Sequence, residues 1–226
     1  MVLFRDERRP YQDRRHAGAQ LARRLDHYRG RSDVIVLALP RGGVPVAYEV
    51  ALALEAPLDV FLVRKLGLPG YGELAMGAIA SGGVRVLNDD VVSWYRIPAQ
   101  VIDEVARQEQ AELARRERLY RDGRAPVELR RRVVILVDDG LATGSTMKAA
   151  VAAVRAQAPS KVVVAVPVGS AETCQELSGL TDEAVCARAP ARFVAVGQWY
   201  QDFSPTTDEE VRGLLQTVPE AVSRAR

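Results

Sequence analysis

Val133-Val134-Ile135-Leu136-Val137-Asp138-Asp139-Gly140-Leu141-Ala142-Thr143-Gly144-Ser145-Thr146 opens with five apolar, mostly β-branched residues, the composition of a parallel strand buried on both faces. Asp138 and Asp139 follow where that strand ends. Carboxylates are costly to bury, so a pair at the end of a core strand is placed to face a polar ligand in a crevice rather than to pack. As acceptor-only groups, the two suit vicinal hydroxyls. From Ala142 to Thr146 the chain then offers one glycine, three hydroxyls and unpaired backbone N–H groups, just before a helix-like run at 147–156. A helix start of this kind receives a dianionic phosphate through oriented donors and the positive end of the helix dipole. The stretch reads as a sugar-phosphate site.

An apolar strand ending in two acids also describes a Walker B strand, a response-regulator acid pocket or a metal-dependent phosphatase. Each lacks its partner motif: no G-x-x-x-x-G-K-[ST] occurs in the chain, and no D-x-D pair follows an early strand. Working outward, the apolar runs at 34–39, 58–63, 74–80 and 161–166 supply four more strands, and 84–87 pairs as a short strand through a turn at Ser81-Gly82-Gly83. Helical spacing is expected at 12–29, 44–54, 98–120 and 207–215, with most of the charge on 98–120 reading as solvated face or i,i+4 pairing. Alternating strands and helices imply an α/β fold: a doubly wound, mainly parallel five-stranded sheet flanked by helices and built from right-handed crossovers. Ligands of such sheets bind beyond the carboxyl ends of the strands, where strand order reverses. Arg41-Gly42-Gly43, Arg64-Lys65, the 138–146 loop and the segment from Val168 all follow strands, so all are expected at one edge.

Three of these features have two readings each. Arg41-Gly42-Gly43, at a strand-to-helix junction, is either an anion site made of N–H groups and a guanidinium or a plain tight turn. Arg64-Lys65 is either a ligand contact or a solvated basic pair. The run Phe193-Val194-Ala195-Val196-Gly197-Gln198-Trp199-Tyr200-Gln201-Asp202-Phe203 concentrates aromatics in a chain with only 6% of them, and either stacks on a planar base or forms a small core under the C-terminal helix.

The pattern of apolar strand, two acids, two residues and A-T-G-S-T resembles the 5-phosphoribosyl-1-pyrophosphate (PRPP) signature of type I phosphoribosyltransferases, especially the adenine-type version. R-G-G at 41–43 is similar to loops of that family, and Phe4-Arg5-Asp6 with Trp199-Tyr200-Gln201-Asp202-Phe203 is similar to a group of bacterial predicted phosphoribosyltransferases without an assigned substrate. The resemblance spans residues 34–165 and extends more loosely to 203. It implies that Asp138 and Asp139 are the catalytic pair holding the ribose hydroxyls, and that Ala142, Thr143, Gly144, Ser145 and Thr146 cradle the 5′-phosphate. It further implies that Arg41, Gly42, Gly43 and Lys65 meet the pyrophosphate, that 67–72 is a flexible lid, and that Trp199 and Tyr200 belong to a small C-terminal hood over the base. Gly140 stands where most members carry a branched aliphatic residue; a glycine loosens the turn slightly and permits close backbone approach.

The implied activity is phosphoribosyl transfer from PRPP to a nitrogenous acceptor with release of pyrophosphate. Mg²⁺ would be carried through PRPP and water, with no side chain as a direct ligand. The alternative is a non-catalytic regulator that senses PRPP or a nucleotide on the same fold. The acceptor is not legible.

Length and composition agree with one phosphoribosyltransferase-like domain over 1–226, with its core at about 30–170 and the hood element at about 171–226: 226 residues, 48% of them hydrophobic, suffice for one sizeable core. The net charge of +2, from 31 basic and 29 acidic residues, gives no case for a nucleic-acid partner, and the arginine-rich start reads as a solvated helix face. Cys174 and Cys186 lack metal-site spacing, so reduced thiols and a cytoplasmic location are expected. No run has the length of a signal-peptide core or a membrane span. A homodimer is among the assemblies this reading allows.

Overall fold

A parallel sheet covered on both faces organises the fold, and its inner strands are buried along nearly their whole length. The computed structural model describes residues 9–217, so Phe4-Arg5-Asp6 lies outside the described residues. In chain order the elements are α1 (Arg14–Ala22), β1 (Val34–Ala38), α2 (Gly43–Leu54), β2 (Leu58–Val60), β3 (Val63–Leu68), β4 (Tyr71–Ala80), β5 (Val84–Leu87), α3 (Asp89–Trp94), α4 (Ala99–Arg121), β6 (Val133–Val137), α5 (Ser145–Arg155), β7 (Lys161–Val168), α6 (Ala171–Leu180), β8 (Glu183–Arg188) and α7 (Asp208–Thr217). Short 3-10 turns lie at Asp26–Tyr28 and Val196–Trp199.

The main sheet has the order β2-β1-β6-β7-β8, with every pairing parallel. Side chains alternate across a strand, and here the alternation divides the core. Val133, Ile135 and Val137 of β6 join the cluster that takes in Leu21 of α1, Val46 and Val50 of α2 and Val211 of α7. Val134 and Leu136 join Met147, Ala150 and Val154 of α5 and Leu177 of α6 on the other face. All five β6 residues are buried, as a near-continuous apolar run requires. Among the described residues no helix is long and apolar enough to cross a membrane.

The α/β class and the parallel five-stranded sheet match the expectation, but the fifth strand is a different one. The apolar segment at 74–80 belongs to β4, which lies with β3 and β5 in a separate antiparallel sheet packed against α4 and α5. Its place is taken by β8, whose residues are all half-buried and carry Glu183 and Arg188, so it has no apolar run to betray it. Residues 171–188, assigned to the hood, therefore form the last crossover and edge strand of the main sheet. The 67–72 stretch is likewise not a loose loop: Leu68 pairs with Tyr71 across a two-residue turn of Pro69 and Gly70, and Gly70 takes the positive φ of 84° that such a turn requires.

α6 packs back against β8 and brings the Cα atoms of Cys174 and Cys186 within 6.4 Å, where the two sulfurs are joined as a disulfide. The expectation of two separate reduced thiols is corrected by this crossover, which spacing in the sequence does not reveal. At the far end of α4 the Arg121 guanidinium is buried against Asp59 of β2.

Candidate functional site

Strand order reverses between the adjacent strands β1 and β6, so a crevice opens beyond their carboxyl ends. The loop after β1 crosses directly over the end of β6. Leu39 N donates to Val137 O at 2.9 Å, and a Cβ on Gly43 would stand 2.8 Å from Val137 O and 2.9 Å from Asp138 Cα. A Cβ on Gly42 would stand 2.1 Å from Asp139 Oδ2. Neither glycine has a positive φ, so both are required by the closeness of the acid pair rather than by turn conformation. Arg41-Gly42-Gly43 and Asp138-Asp139 thus meet as the sequence implied.

The 142–146 turn follows on the other side of the acids. Gly144, at φ 66°, precedes Ser145 at the start of α5, and no side chain caps the helix there. Thr143 Oγ1 lies 3.5 Å from Ser145 N, a distance too long to satisfy that donor. Ala142, Thr143 and Thr146 are exposed, and a helix start with free amides behind them is suited to an anion. The turn is pinned from behind: Thr173 Oγ1 of α6 donates to Ala142 O at 2.8 Å, and Ser170 N donates to Leu141 O at 3.1 Å. Lys65, on β3, reaches this turn and donates from Nζ to Ser145 Oγ at 2.7 Å. Its ammonium is therefore at the 142–146 turn. Arg41 is half exposed and stands 3.8 Å from Asp208 at the start of α7.

Gly140 is explained by packing. A Cβ there would lie 2.6 Å and 2.9 Å from the two methyls of Val196 and 3.1 Å from Val168 O. Val196, in the 3-10 turn of the C-terminal segment, occupies the space that a branched side chain at 140 would fill. Gly140→Ile is expected to destabilise the fold by about 1–3 kcal/mol through overpacking. Urea unfolding checks this, and Val196→Ala in the same chain should recover much of the loss.

Trp199 and Tyr200 divide. Trp199 is partly exposed, while Tyr200 is 6% exposed, with its ring 5.6 Å from Tyr11 and 5.0 Å from Phe203. Stacking of Tyr200 on a base is thereby corrected: the ring is already sandwiched. The small core it joins sits against Ala17 of α1 and Val168, not under α7. Its hydroxyl donates to Asp139 O at 2.5 Å. Burial, and then the nearby Asp139 charge, push the phenol well above its ordinary range, so it stays a donor.

Sequence reading missed Arg14. Its Nε donates to Asp139 Oδ2 at 2.9 Å and its Nη1 to Ser204 O at 2.7 Å, with side-chain exposures of 11% for Arg14 and 15% for Asp139. Nothing in the sequence distinguishes it from Arg15, which ion-pairs with Glu49 on the surface. Burial, followed by the charge of Asp139, raises the Asp138 carboxyl well above the usual carboxylate range. Burial raises Asp139 as well, with the Arg14 hydrogen bond pulling the other way. Both carboxyls are thus raised by burial at the end of a central strand, the part of a parallel sheet where ligands bind. Among the described residues no three His, Cys, Asp or Glu side chains converge as a metal cage. A divalent ion here would depend on ligand oxygens and water.

Comparison with known proteins agrees with this geometry. The phosphoribosyl transferase domain family matches residues 11–185. Two curated proteins of Mycobacterium tuberculosis, named "Putative phosphoribosyl transferase Rv0571c" (strain H37Rv) and "Putative phosphoribosyl transferase MT0597" (strain CDC 1551), are each 51% identical over 205 residues. Those residues are 91% of this chain and 46% of each relative, so the chain spans about half the length of the curated proteins it matches. The crystal structure of TT1426 from Thermus thermophilus superposes with a TM-score of 0.83 at 43% identity, covering 92% of this chain and 99% of that one. With the signature strand, the acid pair and the phosphate turn all inside the matched region, the chain belongs to the phosphoribosyl transferase domain family.

Proposed function

We propose that this chain transfers the 5-phosphoribosyl group of PRPP to a nitrogenous acceptor, with release of pyrophosphate. The observation that carries the reading is the Asp138–Asp139 pair in one crevice, flanked by an uncapped helix start on one side and the Arg41-Gly42-Gly43 loop on the other. Three ligand chemistries are met there in order: a 5′-phosphate at 142–146, ribose hydroxyls at the carboxylates, and a pyrophosphate at the glycine loop, with Arg41 on that loop and Lys65 at the 142–146 turn as cations for the phosphates. Cleavage at C1 leaves positive charge on the ribose ring, which two fixed carboxylates stabilise while they hold the hydroxyls. The acceptor nitrogen bonds to C1 as the bond from C1 to the pyrophosphate oxygen breaks, and the acceptor gives up its N–H proton. No nucleophilic side chain is needed. Mg²⁺ bound with PRPP would supply neutralisation of the leaving group.

Incubation with PRPP and Mg²⁺ against a panel of nitrogenous bases, with pyrophosphate monitored, tests the reading. Base-dependent pyrophosphate release is the expected result. Saturable PRPP binding without release against any base would move the assignment to the sensing regulator, and absence of PRPP binding would remove both.

A further inference from the structure

We propose that Arg14 is a positioning residue for the ribose site, holding one oxygen of Asp139 so that the other is presented to the sugar. The inference rests on the phosphoribosyl reading of the site.

Arg14 is itself fixed on three sides. Its Nε is on Asp139 Oδ2 at 2.9 Å, its Nη1 is on Ser204 O at 2.7 Å, and its guanidinium carbon lies 3.9 Å from the centre of the Phe203 ring. An arginine held by a carbonyl and an aromatic face spends little of its side-chain freedom on a further contact, so it can set the rotamer of Asp139. The same aspartate is gripped at its main chain by Tyr200, whose hydroxyl donates to Asp139 O. Against the same oxygen lies Gly42: an added Cβ there would be 2.1 Å from Oδ2 and 3.3 Å from Arg14 Nε. Asp139 is thus bounded by α1, the C-terminal segment and the loop after β1.

A role in merely docking α1 does not account for this placement. The helix is held without Arg14: Ala17 and Leu21 are fully buried, and a Cβ on Gly18 would stand 2.5 Å from Val46 O, so α1 and α2 already touch backbone to backbone. The residues before α1 are tied to the C-terminal segment by Tyr11 N to Trp199 O and Gln201 N to Tyr11 O, both at 2.7 Å. A largely buried ion pair is also a poor stabiliser, because desolvation offsets most of its attraction. What the guanidinium does supply is charge. Two adjacent carboxylates cannot both stay ionised without a cation, and a neutral acid could not counter positive charge at C1. The groups that face Asp139 are Asp138 from its own strand end, Arg14 from α1 and the Tyr200 phenol from the C-terminal segment, while the loop after β1 presents backbone at Gly42. Arg14 is the cation among them.

The test is PRPP binding with Mg²⁺, followed by titration calorimetry across pH for the wild type, Arg14→Met and Arg14→Lys, with melting temperatures recorded alongside. Binding does not require the acceptor to be known. Arg14→Met is expected to weaken PRPP binding about tenfold at pH 7 and to move the acid limb of the binding profile up by about one pH unit, the direction caused by removing a cation beside a carboxylate. Arg14→Lys should restore the position of the acid limb, since it keeps the charge, while recovering only part of the affinity. Arg14→Met leaves Asp139 buried without its countercharge and should melt below the wild type, whereas Arg14→Lys should melt close to it. Wild-type affinity and pH dependence in Arg14→Met would overturn the proposal, as would equal losses in both variants together with a large fall in melting temperature. If the wild type itself does not bind PRPP, the reading of the site has failed first.

Discussion

Asp138→Asn is expected to lower PRPP-dependent turnover by about 10²-fold or more, the order lost when one preorganised electrostatic partner of a transition state is removed, and to leave the protein as stable as before or more so. The Oδ1 atom of Asp138 accepts a hydrogen bond from Asp139 N at 2.8 Å, which an asparagine oxygen can keep. What asparagine loses is charge, and the charge is what the fold tolerates badly. Burial raises the Asp138 carboxyl above its ordinary range. A carboxyl whose pKa is higher folded than unfolded contributes stability that is present below the ordinary carboxylate range and lost as pH rises through the raised value. At pH 7 the wild type carries that loss and the asparagine variant does not. The variant should therefore melt at an equal or higher temperature at pH 7, with the gap closing toward pH 4. Asp139→Asn should likewise cost turnover without unfolding. Pyrophosphate release and thermal melts at the two pH values measure both halves. Wild-type turnover, or a variant that unfolds, would contradict the ribose role given to the pair.

Arg121→Ala should produce the largest loss of stability, about 3–5 kcal/mol, the cost of breaking a buried ion pair from one side. The Arg121 side chain is 5% exposed; Nε lies 3.1 Å from both oxygens of Asp59, Nη1 is 2.8 Å from Glu117 and Nη2 is 2.8 Å from Val60 O. Asp59 belongs to β2, the edge strand, so this guanidinium bolts the end of α4 to the main sheet. Alanine would leave Asp59 with Val60 N as a donor and no countercharge. In a domain of this size, such a loss lowers the melting temperature by roughly 6–20 °C. Denaturant unfolding gives the free energy directly. A loss under about 1 kcal/mol would mean that water replaces the arginine. Because a pair removed from both sides is often neutral, Asp59→Asn with Arg121→Met should be much less costly than Arg121→Ala.

The buried strands were legible because their chemistry is local: β1, β6 and β7 are near-continuous apolar runs, and a strand covered on both faces admits little else. β4 was legible as a strand but not as a member of the second sheet, since a run such as 74–80 says that it is buried and not against what. β8 was not legible, because an edge strand half open to solvent keeps charged residues. The acid pair, the phosphate turn and the glycine loop could be found because anion binding by backbone demands small residues at fixed positions after a strand. Gly140 illustrates the limit: the sequence marks it as a departure, while the reason, the methyls of Val196, lies fifty-six positions away.

From the sequence alone follow the α/β class, the buried strands and the gathering of Arg41-Gly42-Gly43, Asp138-Asp139 and the turn at 142–146 at one sheet edge, because burial pattern and turn chemistry are written in neighbouring residues. Tertiary structure alone decided that Arg14 serves Asp139 while Arg15 meets solvent, that Tyr200 is a buried donor rather than a stacking surface, that Cys174 and Cys186 meet, and that Arg121 is a core residue. Each of these depends on which distant segment covers a side chain, and an arginine, tyrosine or cysteine takes its chemistry from that cover.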